Sequence, residues 1–100
     1  MKALSEQLLV GTLILRLVMR GAFSLKDKRR IIKSLKDRIR QRFNVSIAEI
    51  GVQDTWQEAF LGIACVSSDG SFINSLLAQV RNLVAGQAGV ELVAQEQDLI

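Results

Sequence analysis

Side chains that could bind phosphate groups are concentrated in one segment of the chain. Nine of the thirteen lysine and arginine residues lie between Lys26 and Arg42. At 100° per residue of an α-helix, six of them fall in a sector about 120° wide, separate from the apolar side of the segment. These six residues, which we call the cationic stripe, are Lys26, Arg29, Arg30, Lys33, Lys36 and Arg40.

The cationic stripe has an energetic cost that helix formation does not explain. Like charges three or four positions apart destabilise a helix by about 0.2–0.5 kcal/mol per pair, and the stripe contains several such pairs. Only Asp27 and Asp37 offset this repulsion within the segment. Local instability without local compensation is expected where function requires it. We therefore expect nucleic-acid phosphates to bind the stripe; the alternative is a solvated helix face that keeps the protein soluble.

The same segment has a second set of cations and a well-marked start. Lys28, Arg38 and Arg42 lie nearer the apolar side, where their stems are expected to follow the core while their charges stay in water. Ser24 is followed by Asp27 in a capping-box-like arrangement. Backbone N–H groups at this helix start could add to the binding of an anion.

Residues for most kinds of catalysis are missing. The chain has no histidine, and its one cysteine, Cys65, lies in an apolar run and is expected to be a buried core residue. The glycines do not form a phosphate-binding loop. Glu49, Asp54 and Glu58 could together hold Mg²⁺, but scattered surface acids are the preferred interpretation. We predict no enzyme activity, no catalytic residue, no metal and no cofactor.

Hydrophobic periodicity predicts the elements that position the stripe. Residues 8–20 alternate as a strand with one apolar face, and residues 24–42 have helical spacing. Strands are predicted over 45–50 and 59–67. After Asp69-Gly70-Ser71, a second amphipathic helix with apolar residues from Ile73 to Val84 is predicted to end near Gly86, and a final strand follows over 90–96.

This order, β-α-β-β-α-β, predicts an α+β, ferredoxin-like two-layer sandwich with an antiparallel sheet and both helices on one face. The other face of the sheet would carry Val10, Ile14 and Val18 from the first strand. Such an exposed apolar surface predicts a homodimer formed through the sheet, and ordinary surface hydrophobicity is the alternative.

Length and composition predict one domain. We expect residues 1–7 to be a variable extension and residues 8–100 to form a single domain with 49% apolar residues in the whole chain. A single cysteine indicates a reducing, cytoplasmic environment. The apolar stretch 8–15 follows Glu6 and is too short to cross a membrane, so no membrane association is expected.

Few aromatic residues are available to stack on nucleic-acid bases. The first predicted strand has none, the third has Phe60, and the chain has no tyrosine. We therefore expect the protein to recognise the phosphate backbone and the shape of a nucleic acid rather than its base sequence, with structured RNA as the preferred ligand. Trp56 lies in a polar connector, where it could cover the sheet edge or contact a partner.

Four segments of the chain are distinctive: Ser24-Leu-Lys-Asp-Lys-Arg-Arg30, Phe43-Asn-Val-Ser-Ile-Ala-Glu49, Gln53-Asp-Thr-Trp-Gln57 and Leu61-Gly-Ile-Ala-Cys-Val-Ser67. Together they resemble the YlxP-like family of small bacterial proteins, and the resemblance covers about residues 8–95. The resemblance implies a domain of unknown function with a ferredoxin-like fold. Because genes of this family often lie beside translation and ribosome-maturation genes, it also implies an RNA- or ribosome-linked role.

Two functions are therefore expected from the sequence. The first is a non-catalytic protein that binds structured RNA or the ribosome through the cationic stripe. The alternative is a self-assembling interaction module with no nucleic-acid role, in which the sheet forms the homodimer and the basic helix binds an acidic protein.

Overall fold

The computed structural model describes residues 7–51 and 55–100, which form four strands and two helices in the predicted order. The last strand is longer than predicted, reaching Leu99, because it continues to pair with the first strand. The elements are β1 (Leu9–Val18), α1 (Leu25–Arg42), β2 (Ser46–Ile50), β3 (Glu58–Ser67), α2 (Gly70–Ala85) and β4 (Glu91–Leu99).

The strands form one antiparallel sheet in the order β2-β3-β1-β4. Both β1 and β3 are central strands, which agrees with their apolar sequences. A β-bulge between Arg16 and Leu17 shifts the register of β4 against β1. Together with the two helices, this sheet is the predicted α+β, ferredoxin-like arrangement, so the fold prediction is confirmed.

The core lies between the helices and one face of the sheet. Alternate residues of β1, including Leu13, Leu15 and Leu17, are buried, as the period of two in the sequence predicts. They pack with the apolar stripe of α1 around Leu35 and with that of α2 around Leu77. Because these apolar faces are buried, the opposite flank of each helix remains in solvent.

Side-chain caps define the start of both helices. The Ser24 hydroxyl accepts a hydrogen bond from the Asp27 N–H at 3.0 Å, and the Asp27 carboxylate accepts one from the Phe23 N–H at 3.1 Å. At α2, Asp69 accepts from the N–H groups of Ser71 and Phe72. Hydrogen bonds from Ser71 and Phe72 lower the pKa of the Asp69 carboxyl below its usual value.

Lys28 differs from the sequence expectation. Its charge was expected to reach solvent, but the side chain is only 2% exposed and lies in the middle of the buried face of α1. The Lys28 ammonium donates to the Thr55 carbonyl at 2.8 Å and lies 3.1 Å from Glu49 Oε2. The Thr55 carbonyl and the Glu49 carboxylate therefore hold the charge inside the fold.

This ion pair, which we call the Lys28–Glu49 pair, connects three parts of the chain. Glu49 belongs to the core-facing side of β2, and Thr55 belongs to the connector between β2 and β3. Within residues 7–51 and 55–100, Glu49 Oε2 is buried and has no hydrogen-bond partner of normal geometry. Its attraction to Lys28 is therefore Coulombic, and neither charge has an alternative partner of opposite sign in that part of the chain.

Among the described residues, no helix is both long enough and apolar enough to cross a membrane.

Gly11 provides a test of helix–sheet packing. A Cβ atom at this position of β1 would lie 2.1 Å from Ile73 Cγ2 and 3.1 Å from Leu77 Cδ1, both on buried side chains of α2. We expect Gly11→Ala to lower the free energy of unfolding by about 1–3 kcal/mol through overpacking, measured by urea denaturation. Gly21→Ala is the control, because the described residues place nothing within 4 Å of its Cβ. Equal stability of the two variants would contradict the close packing of α2 on β1.

The Lys28–Glu49 pair provides a second test. Glu49→Gln keeps the side-chain shape but leaves the buried ammonium without its counter-charge, so we expect a loss of about 3 kcal/mol in the free energy of unfolding. The double variant Lys28→Met with Glu49→Leu replaces the pair by apolar groups of similar size and should recover most of that loss. Urea denaturation measures both. A Glu49→Gln variant as stable as the wild type would show that the pair does not hold the fold.

Candidate nucleic-acid interface

All six residues of the cationic stripe lie on α1, on the flank away from the core. Five are exposed and Lys36 is half-buried. From Lys26 to Arg40 the stripe extends over about 21 Å at 1.5 Å per residue. The structure therefore brings the six predicted side chains together on one accessible helical surface.

Two carboxylates lie among these six cations, and both come from α1 itself. Arg30 contacts Asp27 at 3.3 Å, and Lys33 contacts Asp37 at 2.9 Å. The hydrogen bond from Lys33 lowers the pKa of the Asp37 carboxyl below its usual value. Such exposed ion pairs contribute little to stability, so phosphate groups can compete with the carboxylates for these cations. In the part of the chain that the structure describes, no carboxylate from another element pairs with the stripe.

Arg40 marks the end of the stripe beside the sheet. Its guanidinium Nη2 donates to the Ile47 carbonyl at 3.1 Å, so the side chain is directed over the start of β2. One such bond uses one of the five guanidinium donors and leaves its charge in place. The interaction therefore orients this cation without neutralising it.

The remaining exposed cations of α1 lie on its opposite flank. Arg38 donates to the Gln87 side chain, which follows α2. The Arg42 guanidinium lies 5.6 Å from the centroid of the Phe43 ring. The helix thus has two cationic flanks, and only the stripe faces away from α2.

The start of α1 is less suited to anion binding than the sequence indicated. The Asp27 N–H is used by the Ser24 cap, and the Asp27 carboxylate adds a negative charge to the first turn. Phosphate binding at this surface would therefore depend on the lysine and arginine side chains rather than on the backbone of the helix start.

Two exposed aromatic residues lie near this end of α1. Phe23, which sequence reasoning did not single out, is 75% exposed, and Trp56 is 47% exposed. Trp56 therefore does not form a fully buried cover of the sheet edge, which is one of the two roles that the sequence allows it. The signal for Phe23 was its position before the N-cap, where an apolar residue usually packs on the fourth helical residue. That fourth residue is Lys28, whose chain enters the core instead.

The sheet face opposite the helices carries apolar residues. Ile14, Ile50 and Val66 are exposed there, and Gly62 leaves a shallow depression between Ile14 and Ile50. β4 places acidic residues on the same face, because Asp98 pairs with Thr12 and Glu96 pairs with Ile14. The apolar part of this face is therefore limited mainly to β2, β3 and β1.

Cys65 and the acidic residues that were considered as metal ligands, as far as the structure describes them, lie in the core or in ion pairs. Cys65 is buried in the core, and burial raises the pKa of its thiol. Glu49 pairs with Lys28 and Glu58 with Arg16, while Asp54 lies outside the described residues. The described ranges contain no group of three or more histidine, cysteine or acidic side chains that could hold a metal ion.

Solved structures with a similar fold come from unrelated sequences. The de novo designed protein Foldit4 matches with a TM-score of 0.53 at 17% identity, covering 92% of this chain and 96% of that protein. An asparagine-to-alanine mutant of SnoaB, a cofactor-independent oxygenase from Streptomyces nogalater, matches with a TM-score of 0.51 at 15% identity. That match covers 91% of this chain and 90% of SnoaB. Both likenesses show the fold alone.

Sequence comparison gives a closer relationship. The uncharacterized protein YlxP of Bacillus subtilis (strain 168) is 57% identical over 47 residues, which is 47% of this chain and 51% of YlxP. The chain thus matches about half the length of that curated relative. The family model described as "Protein of unknown function (DUF503)" matches residues 10–97. With nearly the whole chain matched and the resemblance to YlxP supported, the chain belongs to the DUF503 family.

Proposed function

We propose that this protein binds structured RNA or the ribosome through the cationic stripe on α1. One observation carries the proposal: six cations share a largely exposed flank on which, among residues 7–51 and 55–100, two carboxylates pair with them, both from the same helix. Solubility alone does not require charges of one sign to be concentrated on one flank, since a surface with both signs interspersed serves it as well. Polyanion binding instead gains from every unneutralised charge.

The contacts of the stripe support a backbone-directed mode. Lysine and arginine side chains both bind phosphate oxygens. Contacts of this kind to a nucleic-acid backbone do not discriminate between base sequences. Lys26, Arg29 and Lys36 have no ion-pair partner among the described residues. We propose that these three make the first phosphate contacts, and that Arg30, Lys33 and Arg40 exchange their present partners for phosphates.

A second candidate is a homodimer formed through the open sheet face. Three of the four strands have nine or ten residues and β2 has five. At a strand spacing of about 4.8 Å they give a flat area on the order of 500–550 Å², below the roughly 800 Å² per partner of a standard interface. Exposed Ile14, Ile50 and Val66 favour this candidate, whereas the carboxylates of Glu96 and Asp98 limit the apolar area. The occupant in this proposal is a second copy of the chain.

Charge reversal tests RNA binding. We expect Lys33→Glu with Lys36→Glu to abolish retention of a structured RNA in filter binding while circular dichroism and the thermal midpoint stay near wild type. Arg38→Glu with Arg42→Glu is the matched control: the same helix and the same change in charge, on the flank beside α2. It should weaken binding far less. Equal losses in the two variants would mean that net charge, not the stripe, is responsible.

The salt dependence of wild-type binding is a separate test. If about six phosphates are neutralised, the logarithm of the association constant should fall against the logarithm of salt concentration with a slope near −4 to −5. Titrations over a range of KCl concentrations measure this slope. A flat response would rule out phosphate neutralisation as the source of affinity.

Light scattering coupled to gel filtration tests the homodimer. We expect Ile14→Glu, on the open sheet face, to convert a dimeric wild-type protein to a monomer because it would bury an unpaired carboxylate. Ser75→Glu adds the same charge on α2, in the other layer, and should leave the dimer intact. A wild-type protein that is already monomeric at high concentration would eliminate this candidate.

A further inference from the structure

Phe23 and Trp56, which we call the aromatic corner, lie at the same end of α1 although 33 positions separate them in the chain. Lys28 in α1 binds the Thr55 carbonyl at 2.8 Å. The Gln57 side-chain amide donates to the Ala22 carbonyl at 3.3 Å. The residues on both sides of Trp56 are thus held against the start of α1, where Phe23 precedes the N-cap Ser24.

Both aromatic rings remain exposed to solvent although large apolar side chains in these positions would be expected to pack against the fold. Phe23 is 75% exposed because the residue that it would pack against, Lys28, is committed to Glu49 and Thr55. Trp56 is 47% exposed even though backbone and side-chain bonds fix its neighbours. Two large apolar side chains at one site in water form a surface that a ligand can cover.

The aromatic corner adjoins the start of the cationic stripe. Lys26 is three residues after Phe23, and Arg29 and Arg30 follow in the next turn. Exposed aromatic rings for stacking together with cations for the backbone are the two components of surfaces that bind single-stranded nucleic acid. The sheet lacks this combination, since the only aromatic residue in its four strands is Phe60.

We infer that the aromatic corner stacks on unpaired bases, so that the preferred ligand is RNA in which a duplex is followed by unpaired nucleotides. The duplex backbone lies along the stripe, and the unpaired bases reach Phe23 and Trp56 beyond its N-terminal end. This inference rests on the proposed function and makes the ligand class more specific. A protein ligand at the same rings is the competing outcome, because tryptophan and phenylalanine are also common in protein interfaces.

The chain has its own reporter for the test. Trp56 is the only tryptophan and tyrosine is absent, so intrinsic fluorescence excited at long wavelength reports on the aromatic corner alone. The probes are a blunt RNA hairpin and the same hairpin with a single-stranded extension of about five nucleotides, within the range of known single-strand sites. We expect the extended hairpin to quench Trp56 and to bind about 10-fold more tightly than the blunt one.

Three variants test which aromatic residues cause the tighter binding of the extended hairpin. Phe23→Ala and Trp56→Ala should each remove most of the advantage of the extended hairpin while leaving affinity for the blunt hairpin and its salt slope unchanged. Phe72→Ala is the matched control: its ring is 54% exposed, but it lies at the start of α2, which has no lysine or arginine in its first turn. This variant should behave as the wild type. Circular dichroism confirms that all three remain folded.

The outcomes separate the two proposals. If the blunt hairpin binds with the expected salt slope but the extension neither quenches Trp56 nor adds affinity, the stacking inference is overturned and the proposed function stands. An advantage of the extension that persists in both corner variants overturns the inference in the same way. If neither hairpin binds the wild-type protein, the proposed function fails and the stacking inference fails with it.

Discussion

The arrangement of the candidate site depends on one buried charge. Lys28 lies in the middle of the apolar face of α1, and its ammonium must be compensated by Glu49 on β2 and by the Thr55 carbonyl. An uncompensated ammonium inside the fold would cost several kcal/mol. The helix can therefore rotate or slide very little on the sheet without separating these charges. The same constraint holds Thr55 against the first turns of α1.

Because the rotation of α1 is restricted in this way, its other cations are placed by helical geometry. The residues of the cationic stripe lie roughly on the far side of the helix from Lys28, and in the part of the chain that the structure describes no carboxylate of the sheet or of α2 pairs with them. One helix thus contains two kinds of lysine: a buried one that joins elements and exposed ones that repel each other. The repulsion persists in the folded state, which makes the flank a favourable place for a polyanion.

The fold by itself does not indicate the function. A designed protein and an oxygenase share it at low sequence identity, so the sandwich is a scaffold on which surfaces of different chemistry can be placed. In this chain the distinctive surfaces are the cationic stripe, the aromatic corner and the open sheet face. The first two are continuous at one end of α1, whereas the sheet face lies on the other side of the domain. RNA binding and self-association would therefore not compete for the same surface.

The sequence by itself determined the six elements, their order and the membership of the cationic stripe, because period-two and period-3.6 patterns and charge spacing are local properties. The burial of Lys28 was not visible, since its partners Glu49 and Thr55 are more than twenty positions away. The exposure of Phe23 and Trp56 at one site was hidden for the same reason. Contacts between distant segments decide which charges are compensated and which exposed rings lie at the same end of a helix, and only the tertiary structure brings those segments together.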